Sequence, residues 1–367
     1  MRRAAVRGFT LTELLVSLVL GVFVVGGVLS VFVGGLETFR MTDSLSRMQE
    51  SGRYALERMR RDLRQAGYVG CRNTLRQENP RNEGSLDPGL IRNTLNPAPS
   101  GATDPLSFEF DFGTPLMGYE ATDAGWEASV PGAPLDPQGL SLITGTLEPG
   151  SDIVVLIRAE GGGLRVEAHP GGTPPGSANL QVAANNDLQQ GDIVFATDCV
   201  SGGIFEITNA NPDTSGSLVH NTGNSTPGNY TKALGRTFVG SEIYRIERAA
   251  YYVAESPVTG GLSLFRNDEE IAANVSQLQV RYGVDSSFDA RVNDYLTASE
   301  IAASPIVNMD NVLAVRMDLL LNSGEEDNLT DQPVALRFDG GTFTADTDDR
   351  RLHRAFIATV GVRNRLP

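Results

Sequence analysis

The chain holds 367 residues, enough for one large domain or two smaller ones, and its 40% apolar content supports a real core. Its formal charge is −15 and Lys232 is its only lysine, which argues against a nucleic-acid partner, because binding phosphates needs clustered cations. Forty glycines and 19 prolines point to a body rich in loops and strands.

At the amino terminus, Arg2, Arg3 and Arg7 precede an uncharged apolar run from Leu14 to Leu36. At 23 residues this run is too long for the roughly 7–15 residues of a secretory signal. It matches the roughly 20 residues that cross a bilayer as a helix. The arginines keep the start on the cytoplasmic side and send the rest outward. Glu13 stands at the lip of the run, where a carboxylate costs roughly 2.5–3.5 kcal/mol unless it finds a partner. A plain signal anchor leaves that residue unexplained.

The stretch Gly8-Phe9-Thr10-Leu11-Thr12-Glu13-Leu14-Leu15-Val16 resembles the type IV prepilin processing motif. Thr12 departs mildly from it, since an aliphatic residue is usual there. The resemblance implies that a prepilin peptidase cuts between Gly8 and Phe9 and methylates the new amino-terminal Phe9. It also implies that Glu13 meets the Phe9 amine of a neighbouring subunit during filament assembly. A position in the first helical turn suits a carboxylate as well, through the helix dipole.

Beyond Leu36 the pattern turns amphipathic. Leu45, Met48, Gly52, Ala55, Met59, Leu63 and Ala66 recur every three or four residues, and Gly67 offers a stop. Arg53, Glu57, Arg58, Arg60, Arg61 and Asp62 read as the polar face, with Glu57 and Arg61 in a favourable i,i+4 order. The expectation is one helix from Phe9 to Ala66, buried first in lipid and then docked on a head. Residues 72–150 read as surface loops with short strands such as 106–112. Strands are expected at 151–158, 191–198, 202–209, 275–285, 312–323 and the final RRLHRAFIATVGVRNRLP. EIYRIERAAYYVAE and LSLFRN read as a hairpin, and a short helix is expected near 292–303. Residues 169–179 and 211–229 read as loops. The fold class is α+β, a long helix laid on a mostly antiparallel sheet.

The run QESGRYALERMRRDLRQAGYVGC, the segment NVSQLQVRYGVD and the closing RAFIATVGVRN together resemble the PilW family of type IV minor pilins. This implies a leader at 1–8, a membrane half of the helix at 9–36, an amphipathic half at 37–70 and a globular head at 71–367. It implies other minor and major pilins, the prepilin peptidase and the inner membrane as partners, with the head in the periplasm and then in the pilus. Two readings stay beside it: a type II secretion pseudopilin, and a pilus-tip adhesin whose loops bind a surface ligand. In an oxidising compartment Cys71 and Cys199 are expected to pair, though two free thiols remain open. A bridge would be worth on the order of 4–5 kcal/mol in the chain-entropy account.

No catalytic constellation is present in the sequence, so a non-enzymatic protein without metal or cofactor is expected. His169 and His220 fall in Gly/Pro/Asn loops and His353 in the terminal strand, none at ligand spacing from another histidine. The acidic stretches SGEEDNLTD and TADTDDR offer oxygens suited to calcium but lack EF-hand spacing, and read as solvated turns. Trp126 reads as an aromatic pinning its own loop.

Overall fold

The computed structural model describes residues 10–68, 76–77, 85–95, 114–130, 133, 136–170, 177–223, 227–324, 330 and 332–362. Helix α1 (Leu11–Gln65), 55 residues long, forms the amino-terminal part of this architecture. Its first half is apolar on every side and exposed on every side. Its second half buries one stripe, with Met48, Gly52, Ala55, Leu56, Met59 and Leu63 against the head. Burying such a side chain contributes roughly 1.5–3 kcal/mol. The helix stops where the sequence suggests. Ala66 leaves helical geometry, and Gly67 takes φ +72°, a conformation glycine adopts without strain. The Gly67 N–H then donates to the Ile157 carbonyl at 2.9 Å, so the stop is also a docking point on the sheet.

The head is built from β1 (Arg76–Gln77), β2 (Leu90–Asn93), β3 (Leu116–Thr122), β4 (Gly125–Ala128), β5 (Ile153–Ala168), β6 (Asn179–Val182), β7 (Ile193–Thr197), β8 (Gly202–Glu206) and β9 (Ser217–Val219). It continues with β10 (Glu242–Glu255), β11 (Leu262–Arg266), β12 (Glu269–Ala273), β13 (Val275–Val284), β14 (Asp294–Leu296), β15 (Val312–Asn322), β16 (Ala335–Phe338), β17 (Gly341–Thr344) and β18 (His353–Gly361). One 12-stranded sheet runs β1-β2-β8-β7-β10-β5-β3-β4, with β11-β12 branching from β10 and β6-β9 from β5. A four-stranded antiparallel sheet, β14-β13-β15-β18, lies under α1. Among the described residues only β1-β2 and β2-β8 pair in parallel; the other ladders there are antiparallel.

Strand β10 is the hub of the larger sheet. Its start pairs with β7, its first ten residues pair with β5, and its end pairs with β11. The four-stranded sheet follows from period-two patterning. Leu278, Val280 and Tyr282 align with Leu319, Met317 and Val315, then with Phe356, Ala358 and Val360, on the face toward α1. Phe356 packs so close to the helix backbone that a Cβ on Gly52 would stand 2.7 Å from its ring, which explains a glycine inside the stripe. The two sheets are stitched by Asp152. One carboxylate oxygen accepts from the Ala121 N–H at 2.9 Å and the other from the Val280 N–H at 2.8 Å. Burial pushes the Asp152 carboxyl up to about 7, against the pull of those two bonds.

Several expectations need correction. Asp62, assigned to the polar face of the helix, is fully buried because the head reaches around that side of α1. Glu57 meets Arg60 at 4.0 Å, three residues on, one residue short of the i,i+4 position of Arg61. Residues 211–229 are not loop alone: they hold a helical turn at Pro212–Ser215, β9, and the buried His220 and Asn229. Strand β5 extends through three glycines to Ala168, because β10 and β6 supply partners along its length. Trp126 lies in β4, with its indole N–H donating to the Ser151 carbonyl at 3.0 Å. The expected strand at 106–112 lies outside the described residues.

Candidate assembly and anchoring site on the long helix

Thr10 is the N-cap of α1, in extended conformation, and Glu13 is the third helical residue. The Glu13 N–H donates to the Thr10 hydroxyl oxygen at 3.3 Å. In return, the Thr10 N–H and hydroxyl each donate to the Glu13 carboxylate at 2.9 Å. This reciprocal capping box satisfies backbone donors that a helix start leaves open. It also gives the carboxylate two donors within its own chain, before any neighbour arrives. Sequence reasoning placed Glu13 at the helix start and missed the box, although Thr10-Leu11-Thr12-Glu13 is its signature. Gly8 and Phe9 lie outside the described residues. Beyond the cap, α1 is long and apolar enough to cross a membrane.

At its outer end α1 is locked to the head by a charged cluster. The Asp62 carboxylate, fully buried, accepts from the Arg266 Nε at 2.7 Å and from the Tyr251 hydroxyl at 2.7 Å, and lies 3.7 Å from Arg158. Arg158 and Arg266 both also donate to Glu247 on β10, and Arg158 to Gln65 on the helix. Burial beside that carboxylate pushes the Tyr251 phenol well up from its ordinary range. Four elements thereby converge: α1, β5, β10 and β11. A buried pair of this kind makes position specific, because a displaced helix would leave charges unpaired in a dry site.

Residues 3–29 match the prokaryotic N-terminal methylation motif, and residues 249–364 match the family described as Type IV Pilus-assembly protein W. Over these two stretches, which together span under half of its length, the chain is similar to the PilW family of type IV pilus assembly proteins and carries the prepilin-type methylation motif. The first match covers the capping box and most of the apolar half of α1. The second runs from the middle of β10 to β18, taking in the whole sheet on which the helix is docked. The similarity is thus to structural pilus-assembly proteins, and the amino terminus joins a prepilin-type motif to a helix long and apolar enough to cross a membrane. No curated protein and no solved structure matches the chain.

The remaining sequence candidates fall elsewhere in the head. Cys199 is disulfide-bonded and sits at φ +66° in the β7–β8 turn; Cys71 lies outside the described residues. His169 and His220, expected in open loops, are both buried, with rings 6.4 Å apart and edge-on. The Phe238 N–H donates to His169 Nδ1 at 3.3 Å, and His220 packs on Phe205 at 4.7 Å. Burial, aided by His169, pulls the His220 imidazole down to about 4. Asp349, in the acidic TADTDDR stretch, is held by Arg351 at 2.8 Å and His353 at 3.0 Å, which pull its carboxyl well below the usual range. Among the described residues no three His, Cys, Asp or Glu side chains come together to hold a metal. Part of SGEEDNLTD lies outside the described residues.

Proposed function

We propose that the protein is a minor pilin that starts or caps type IV pilus assembly. Its leader, residues 1–8, is cut between Gly8 and Phe9 by the prepilin peptidase, and Phe9 is methylated. Residues 9–36 then hold it in the inner membrane as a single span, residues 37–70 form the amphipathic segment, and the head, 71–367, waits in the periplasm. Other minor and major pilins are its partners in the filament. Cys71 and Cys199 pair to brace the head.

The observation that carries this reading is Glu13, a carboxylate at the lip of an unbroken apolar helix and four residues from the proposed new amine. In the free protomer the Thr10 donors make the charge tolerable. In the filament a neighbour's Phe9 ammonium supplies the full opposite charge, which is worth most where water is scarce. Starting or capping, as opposed to building the shaft, is favoured by the size of the head, since a repeating shaft is built from compact heads.

Replacement of Glu13 by alanine should leave the anchor inserted and cleaved, while pili assembled by cells carrying it fall severely in number. Immunoblotting for the shortened chain and electron microscopy of the cell surface read the two effects separately. Normal piliation in the Glu13→Ala strain would remove the assembly role.

A further inference from the structure

A cleft of about 1020 Å³ opens where α1 leaves the head. One wall is the helix, from Phe39 and Arg40 up through Arg47 to Ser51; the other includes the β10–β11 turn at Thr259–Leu262. The strands fix which way this turn points. Arg266, at the end of β11, meets Asp62 high on the helix, whereas Leu262, at its start, lines the cleft beside the lower residues. The turn preceding Leu262 therefore projects toward the membrane end of α1. At its tip Val258 is 84% exposed, the most exposed large apolar residue of the described chain.

Helix rise sets the level. Phe39 stands about 4.5 Å, and Asp43 about 10 Å, beyond Leu36, the last residue of the apolar run. A bilayer of roughly 30 Å hydrocarbon and 40–45 Å total thickness leaves a headgroup layer of about 5–7 Å on each side. Phe39, Arg40 and the lower wall of the cleft thus fall within that layer. The side chains suit it. Phe39 is 70% exposed and Met41 is exposed too, as expected where aromatic and apolar groups meet headgroups. Arg40, exposed on the cleft wall, presents a guanidinium group that matches lipid phosphate, whereas Arg47 stands higher and pairs with Asp43 at 2.9 Å.

We infer that the β10–β11 turn is a second membrane contact: with Val258 at its tip and Arg40 on the facing helix, it seats the head in the phospholipid headgroup layer before assembly. The inference rests on the reading of α1 as the membrane anchor. Seating fixes both the tilt and the rotation of the head, since two separated contacts define a plane where a single helix leaves the head free to swivel.

The test uses the full-length protein in phospholipid vesicles, with an environment-sensitive fluorophore attached at Val258→Cys, Phe23→Cys or Phe288→Cys, labelled without reduction and with the parent chain as blank. Phe288 is exposed but lies past the far end of β13, about 30 Å from the cleft by strand rise. Headgroup-labelled quencher lipid should quench the probe at 258 several-fold more than the probe at 288, and aqueous acrylamide should do the reverse. Equal acrylamide quenching at 258 and 288, with the probe at 23 still quenched by acyl-chain-labelled lipid, would overturn the seating while leaving the anchor standing. Failure of acyl-chain quenching at 23 would overturn the anchor and the seating together.

Discussion

Asp62→Ala should destabilise the joint between helix and head by roughly 3 kcal/mol, the low end of what breaking a buried ion pair costs. The carboxylate is fully buried, and its removal strands the Arg266 Nε and the Tyr251 hydroxyl without their acceptor. Glu247 limits the loss, because it keeps both Arg266 and Arg158. Asp62→Asn should cost less, since its amide oxygen can still accept from Tyr251 or Arg266. Replacing Asp62 by leucine together with Arg266 by methionine should recover part of the deficit, as apolar substitutes for buried pairs do. Denaturant unfolding of the full chain in detergent, followed by circular dichroism of the β-rich head, measures the order. If the alanine variant unfolds at the wild-type midpoint, the cluster is not what holds the helix in place.

The contribution of His220 to the head's stability should fall with acid before the surface carboxylates begin to titrate, while Asp152, pushed up to about 7 by burial, acts in the opposite direction over the same range. His220 is buried beside His169, and its pKa is drawn from 6.5 down to about 4. The folded state thus resists a proton that the unfolded chain accepts readily. The stability is fully present above the unfolded value and is lost as pH falls from there toward the folded one. From His220 alone the expected loss is about 2 kcal/mol between roughly pH 7.5 and pH 5, read as the difference between the wild-type and His220→Phe profiles. His169, also pulled down by burial, acts in the same direction. Carbonyls of Leu218 and Lys232 offset part of the burial. His220→Phe should flatten this part of the profile, since an aromatic ring beside Phe205 keeps the packing and cannot titrate. An unchanged slope in that variant would place the acid sensitivity elsewhere.

Much of the architecture is legible in the sequence, because local pattern and tertiary demand agree. The helix is written twice, first as an uncharged run and then as a stripe ending at Gly67. β10, β13 and β15 are β-branched or aromatic runs long enough to outweigh local alternatives. Legibility fails where burial is set by distant partners. Asp62 sits among arginines on a helical wheel and reads as surface; only β11, some two hundred residues later, brings Arg266 to cover it. His220 reads as loop because Asn, Gly and Ser surround it, yet β6, β9 and Phe205 close over it. At the assembly site the residues were legible and the geometry was not: the sequence marks Glu13 as anomalous, and only the backbone shows Thr10 already holding it.

The amino terminus of the mature protein, read by mass spectrometry on material extracted from the cell envelope, bears most directly on whether this chain becomes a filament subunit. A chain that begins with N-methylated Phe9, lacking Met1 to Gly8, would provide the ammonium that Glu13 awaits in its neighbour. A chain that retains its arginine-bearing leader, or begins beyond Leu36, would have no such group at that depth, and the assembly account would fail.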